Sequence, residues 1–61
     1  MVENLEVGDM IRFKTWYSES LGIVSRIKED GSIIVSEMFK FRRLKINREA
    51  VIEIVRKKKT Q

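Results

Sequence analysis

The strongest constraint on the fold of this chain is an Asp-Gly pair that lies between two runs of β-branched residues. Asp30-Gly31 follows GIVSRIK at residues 22–28 and precedes SIIVSE at residues 32–37. Both residue types suit tight hairpin turns, because Gly readily adopts a positive φ and Asp can bond to its own backbone. The sequence therefore predicts two antiparallel strands joined at Glu29-Asp30-Gly31.

Two other segments of the first half have clear patterns. Ile11 and Phe13 alternate with basic side chains, which predicts a first strand, and Gly8-Asp9 at its entrance predicts a turn. Residues 15–20, TWYSES, have neither strand alternation nor helical spacing. We interpret them as a loop.

The stretch after the hairpin is β-like but changes parity. Phe39 and Phe41 share one parity, whereas Leu44 and Ile46 share the other. A bulge or tight turn near Arg42-Arg43 would account for the change. The stretch is then either two short strands or one kinked strand.

Two assignments compete for the C-terminal segment. Residues 47–50 are typical of a single helical or 3₁₀ turn, with Asn47 as its cap. Residues 51–56, VIEIVR, then form either a closing strand or part of a helix from Asn47 to Lys58. Four β-branched residues in five positions favour the strand.

Four or five short strands with a short turn before the last one predict an all-β fold, a small antiparallel barrel. Closing the sheet would pair its edges and enclose one shared core. The residues expected to supply that core are Ile11, Phe13, Ile23, Ile27, Ile33, Val35, Leu44, Ile46, Ile52 and Ile54.

Several classes of function lack the residues they need. The chain has no Cys and no His, which removes disulfides, thiolate or imidazole metal sites and the usual base at neutral pH. A domain of 61 residues also has a thin core and no room for a deep pocket. No nucleophile has a base, and no glycine-rich phosphate loop is present. We expect no enzymatic activity, no catalytic or metal-binding residues and no cofactor.

The sequence also bears on location. No apolar run approaches the ~20 residues that a membrane span needs. The first residues, MVENLEVGD, lack the basic and apolar regions of a signal peptide. We expect a cytoplasmic protein without a membrane partner.

Charge is distributed unevenly along the chain. The last 24 residues contain nine Lys and Arg against two acids, whereas the first 37 contain four against seven. Such a field favours a polyanion, and nucleic acid, either RNA or DNA, is the partner we expect. The run at residues 56–59 either adds phosphate contacts or is a solubilising tail. The predicted contacts are Lys40, Arg42, Arg43, Lys45, Arg48, Arg56, Lys57, Lys58 and Lys59, which we expect to form one surface.

Two aromatic pairs each allow two interpretations. Trp16 and Tyr17 either stack on bases or contact a partner protein, or one of them covers the small core. Phe39 and Phe41 alternate with cations, and they either stack on bases or point into the core while the cations face solvent. The electrostatic prediction holds in either case.

Three short segments follow one another in an order typical of a known family. They are VGDMIRF at residues 7–13, LGIV at residues 21–24 and IIV at residues 33–35. In this order they resemble the KOW and related SH3-like small barrels, over about residues 5–37. The chain is also similar to small bacterial and phage proteins of this barrel type.

The resemblance implies a fold and a role. It implies an SH3-like barrel, which agrees with the four to five strands predicted above, and we expect the domain to span residues 1–56 with a basic tail over residues 57–61. It further implies binding of RNA or of a partner from the transcription or translation machinery, through the loops around the turn at residues 20–22. The loop at residues 15–20 departs from the KOW pattern because it has no basic residue.

The function predicted from these observations is nucleic-acid binding with low sequence specificity, without catalysis. The alternative is a protein-protein interaction module that uses the Trp16-Tyr17 loop and the acidic first half. A homodimer that buries Met10, Met38 or Val51 belongs to that alternative, and the oligomeric state stays open.

Overall fold

A computed structural model gives the fold of residues 5–57, the part of the chain that the structure describes. These residues form five β-strands and one 3₁₀ turn. None of their helical segments is long and apolar enough to cross a membrane. The elements in chain order are β1 (Met10–Lys14), β2 (Glu19–Ile27), β3 (Ile33–Glu37), β4 (Arg42–Ile46), the 3₁₀ turn (Arg48–Ala50) and β5 (Val51–Arg56).

The five strands form one antiparallel sheet in the order β4-β3-β2-β1-β5. The predicted all-β class and the short turn before the last strand are confirmed. The helix proposed as an alternative for the C-terminal segment is wrong. Strands β4 and β5 are the two edges, and no ladder joins them in the pairing of residues 5–57.

The β2–β3 hairpin confirms the strongest sequence prediction. The Gly31 amide donates to the Lys28 carbonyl at 3.0 Å, and Gly31 has a φ of 94°. The Asp30 carboxylate accepts hydrogen bonds from the Ser32 amide, at 2.9 Å, and from the Ser32 hydroxyl. Gly31 therefore has the conformation, and Asp30 the partner, that its chemistry favours.

The core lies on one face of this sheet. Of the predicted core residues, Ile11, Phe13, Ile33 and Val35 are fully buried. Leu5 joins them from the segment before β1. The other predicted core residues that pack against this cluster, partly buried, are Ile27, Leu44, Ile46 and Ile54.

Two core predictions are wrong, and each error lies beside an irregularity in strand pairing. A register shift between Val24 and Arg26 reverses the alternation within β2. Ile27 packs against the core after the shift, so before it the buried residue is Val24, and Ile23 is only half-buried. Shifts also interrupt the pairing of β1 with β5, where Val51 is buried in place of Ile52. Strict alternation cannot locate a bulge, because an extra residue changes the face of everything after it.

Segment boundaries also differ from the expectation in two places. The loop after β1 covers only residues 15–18, because β2 already begins at Glu19. The parity change in the second half comes from a tight turn at residues 38–41, just before β4. Asn47 precedes the 3₁₀ turn as predicted, but its side chain makes no capping hydrogen bond.

Candidate functional site

The turn between β1 and β2 presents two aromatic rings to solvent. Thr15 closes this turn: its amide donates to the Ser18 carbonyl at 2.6 Å, and its hydroxyl accepts from the Ser18 amide at 3.0 Å. The residues between them, Trp16 and Tyr17, are 93% and 51% exposed. The interpretation in which one ring covers the core is therefore wrong.

The turn between β3 and β4 likewise presents two phenylalanine rings to solvent. Phe39 is 72% exposed and Phe41 is 94% exposed, so the interpretation that places them in the core is also wrong. Phe41 has a φ of 52°, a left-handed conformation that costs a non-glycine residue about 1–3 kcal/mol. Of the chain's five aromatic residues, only Phe13 is fully buried.

The two turns contact each other through side chains. Lys40 Nζ donates to the Tyr17 hydroxyl oxygen at 2.9 Å and lies 5.2 Å from the centroid of the Tyr17 ring. The Trp16 and Tyr17 rings are 4.9 Å apart in an edge-to-face arrangement. The loop without basic residues thus receives its cation from the β3–β4 turn. We name the residues of this contact region the aromatic-basic cluster: Trp16, Tyr17, Phe39, Lys40, Phe41 and Arg42.

A buried carboxylate positions Arg42 within this cluster. Glu37, at the end of β3, is 2% exposed. Its carboxylate accepts from the Ser20 hydroxyl and from Arg42 Nε, each at 2.7 Å. These bonds, first that of Ser20 and then that of Arg42, hold the pKa of Glu37 below its ordinary value. Glu37 therefore stays ionised and fixes one edge of the guanidinium.

A groove adjoins the cluster between the β1–β2 turn, β4 and the 3₁₀ turn. Its volume is about 480 Å³. Half-buried apolar side chains of β4 lie next to aromatic and basic ones, which suits a ligand that has both flat and anionic parts. The lining of the groove includes Lys14, Trp16, Tyr17, Arg42, Leu44 and Lys45.

Strand β4 and the 3₁₀ turn carry three further predicted cations, of which Lys45 lines this groove. Arg43 and Lys45 share one face of β4, opposite Ser36 and Ile34 of β3. Arg48 follows on the 3₁₀ turn. Within residues 5–57, no carboxylate forms an ion pair with any of these three cations. No direct ion pair therefore neutralises them, and the charge of Lys45 acts only at longer range, where it helps to lower the pKa of Asp30.

Arg56 lies away from this group. It pairs with Met10 at the β5 edge, on a cross-strand row that continues through β2 and β3 to Arg43 on β4. At about 4.8 Å per strand, four spacings separate the two arginines by roughly 19 Å along the sheet. Arg43 and Arg56 therefore lie on opposite edge strands of the sheet.

Lys57 has an internal role. Its Nζ donates to the fully buried Asp9 carboxylate at 2.8 Å and lies 3.7 Å from a carboxylate oxygen of Glu6. The hydrogen bond and charge of Asp9, then the charge of Glu6, raise the pKa of Lys57. The remaining predicted contacts, Lys58 and Lys59, lie outside the described residues.

The sequence interpretation did not identify Glu37 and Ser20 as parts of the site. A signal for Glu37 was present, since it has the same parity as the buried Ile33 and Val35. A charged residue at an inward strand position needs a partner, because an unpaired buried charge is costly. The identity of that partner depends on the turn geometry.

No protein-family model matches the chain, and comparisons with curated proteins and with solved structures give no significant match. The resemblance to KOW-type and other SH3-like barrels therefore stays a prediction from the residues that carry it. What bears on function is the arrangement of the aromatic-basic cluster and of the cations on β4.

Proposed function

We propose that this domain binds nucleic acid with low sequence specificity and without catalysis. The observation that carries the proposal is the exposure of four of the chain's five aromatic residues, on two turns that also present Lys40 and Arg42. Exposed aromatic rings can stack on unpaired bases while adjacent cations neutralise the phosphates. A small domain with a thin core would gain stability from burying such rings, so their exposure favours a binding role.

The phosphate contacts in this proposal come from the cluster and from β4. Arg43, Lys45 and Arg48 have no carboxylate partner within residues 5–57, so an external anion need not displace one. Such contacts neutralise phosphates without reading bases, which accounts for the low specificity. Arg56 lies at the far edge of the sheet and Lys57 is bonded to Asp9, so neither belongs to the proposed interface.

The proposal includes a cytoplasmic domain of the SH3-like, KOW-related type. Leu44 and Ile46 of one edge strand and Ile54 of the other pack against the same buried cluster. A sheet whose two edge strands reach one core is curled, as in small barrels. This supports the barrel predicted from the sequence.

Titration of labelled single-stranded RNA, single-stranded DNA and duplex DNA at two salt concentrations tests the proposal. Arg43→Gln/Lys45→Gln should weaken binding about tenfold and reduce the log-log salt slope on duplex by roughly 1.8, because two phosphate contacts are lost. The matched control, Lys28→Gln/Arg56→Gln, removes the same charge from other parts of the sheet and should change affinity less than twofold.

Circular dichroism at the same concentrations establishes that each variant is folded. A folded wild-type protein that binds none of the three nucleic acids at low salt would overturn the proposal. The protein-interaction alternative, with the Trp16-Tyr17 loop as its contact, would then be the better account.

A further inference from the structure

Two cations lie near the hydroxyl group of Tyr17. Lys40 Nζ donates to its oxygen at 2.9 Å, and Arg42 lines the same groove as Tyr17. Both lower the pKa of Tyr17, the Lys40 hydrogen bond more than any other contact. A neutral phenol thus occupies a position beside two positive charges that an anion would occupy more favourably.

The arrangement around Arg42 is organised before any ligand binds. Glu37 is buried and engages Arg42 through Nε, which leaves the terminal nitrogens of the guanidinium available for another acceptor. Lys40 and Arg42 contribute two positive charges against the single negative charge of Glu37, and no other carboxylate of residues 5–57 pairs with either cation. The site therefore carries an excess positive charge on donors that are already oriented, which favours a phosphate group.

The aromatic rings around Lys40 and Arg42 indicate whether the phosphate belongs to a single-stranded or a duplex nucleic acid. Trp16 contacts Tyr17 edge to face and is almost fully exposed, while Phe39 and Phe41 flank Lys40 in the β3–β4 turn. Aromatic side chains stack on bases whose faces are uncovered, as in single strands, whereas a duplex covers those faces with neighbouring bases. A duplex could use the cations of this site but not its rings.

We propose that the ligand is single-stranded nucleic acid, with one backbone phosphate held between Lys40 and Arg42 at the Tyr17 hydroxyl and an adjacent base stacked on Trp16. This inference rests on the proposed nucleic-acid binding and deepens it, because it names the strand state of the ligand and the position of a phosphate. On binding, a phosphate oxygen replaces the phenol oxygen as the acceptor for Lys40.

Intrinsic fluorescence tests the base contact directly, because Trp16 is the only tryptophan in the chain. Three probes of equal length are titrated: a thymidine single strand, a duplex that contains it, and an abasic single strand that keeps the phosphates without bases. We expect the thymidine strand to quench Trp16 and to bind about tenfold more tightly than the duplex, since stacking contributes at each base. The abasic strand should bind more weakly and leave the fluorescence unchanged.

Substitution of Lys40 tests the phosphate position. Lys40→Gln should lower affinity for the thymidine strand severalfold and reduce its log-log salt slope by roughly 0.7, the amount for one phosphate on a single strand. Lys28→Gln removes an equal charge from the β2–β3 turn and serves as the matched control, with an expected change below twofold. Both variants change exposed side chains, so folding should be retained.

The outcomes separate this inference from the proposed function. Equal affinity for duplex and single strand with no change in Trp16 fluorescence, while Arg43→Gln/Lys45→Gln still weakens binding, would overturn the single-strand inference alone. Quenching that persists with Lys40→Gln at unchanged affinity would overturn the phosphate position. Absence of binding to all three probes at low salt would overturn the proposed function as well.

Discussion

The two turns that flank β3 solve the same geometric problem with different residues. The β2–β3 turn places Gly31 at positive φ and lets the Asp30 carboxylate bond to Ser32. The β3–β4 turn places Phe41 at positive φ and leaves its ring almost fully in water. The first turn lowers the free energy of the folded chain, whereas the second raises it through both backbone strain and exposed apolar surface.

The comparison separates a turn that its own residues stabilise from one that they strain. The second turn leaves Phe39 and Phe41 mostly exposed, so burial of their rings contributes little to stability. Its side-chain bonds instead run from Lys40 to Tyr17 and from Arg42 to Glu37, and both organise charge around the aromatic-basic cluster. Strain of this kind is a mark of functional sites.

Removal of an aromatic ring should have its largest effect at Phe13. Phe13→Ala should lower the free energy of unfolding by about 3–5 kcal/mol, because a large buried side chain is lost. Phe39→Ala should change stability by less than about 0.5 kcal/mol. Urea titration followed by circular dichroism measures both. A large loss for Phe39→Ala would show that the second turn stabilises the fold after all.

Replacement of the glycine in the first turn should have the next largest effect on stability. Gly31→Ala should destabilise by about 1–2 kcal/mol, because alanine is strained at a φ of 94°. An added Cβ meets no atom within 4 Å, so the cost arises from the backbone alone. Thermal unfolding measures it, and an unchanged midpoint would mean that the turn readily adopts another conformation.

The reciprocal substitution in the second turn should have the opposite sign. Phe41→Gly should stabilise the fold by about 0.5–1 kcal/mol, because glycine tolerates a φ of 52°. Phe41→Ala is the matched control, since it removes the same ring but keeps the strained conformation, and its stability should stay within about 0.5 kcal/mol of wild type. If Phe41→Gly destabilises more than Phe41→Ala does, the strain attributed to this position is absent.

Acid should weaken both turns. The Ser32 hydrogen bonds lower the pKa of Asp30, and the Ser20 and Arg42 hydrogen bonds lower that of Glu37. A carboxylate whose pKa is lowered by folding stabilises the protein above its unfolded pKa, about 4 for these groups, and loses that contribution as the pH falls through the folded pKa. Melting temperatures measured from pH 6 down to pH 2 should fall. Glu37→Gln should flatten that dependence, and a slope unchanged by this substitution would contradict the assignment to Glu37.

The parts of the fold predictable from sequence were those that local chemistry decides. Asp30-Gly31 determines its hairpin through turn preferences alone, and the β-branched run at residues 51–56 is a strand as predicted. Ile23 was assigned to the wrong face because the register shift after Val24 has no local signature. The contact between Lys40 and Tyr17 joins residues 23 positions apart, so it depends on how the two turns meet in space.

For the candidate site, the sequence indicated a group of cations but not their arrangement. The charge split treats these cations as one group, whereas the alternation of β4 separates Arg42 from Arg43 and Lys45. Lys57 differs again, since its partner Asp9 is fully buried and lies 48 positions earlier in the sequence. Which cations stay open to a ligand depends on tertiary contacts that a charge count does not contain.

The position of β4 at the edge of the sheet has a consequence for solubility. An edge strand can pair with another chain through its unbonded backbone groups, and charged side chains along it oppose such pairing. Arg43 and Lys45 lie on this edge strand, so the like charges of two copies oppose pairing of β4 with β4. An anion that neutralised these side chains would weaken that barrier to edge-to-edge pairing.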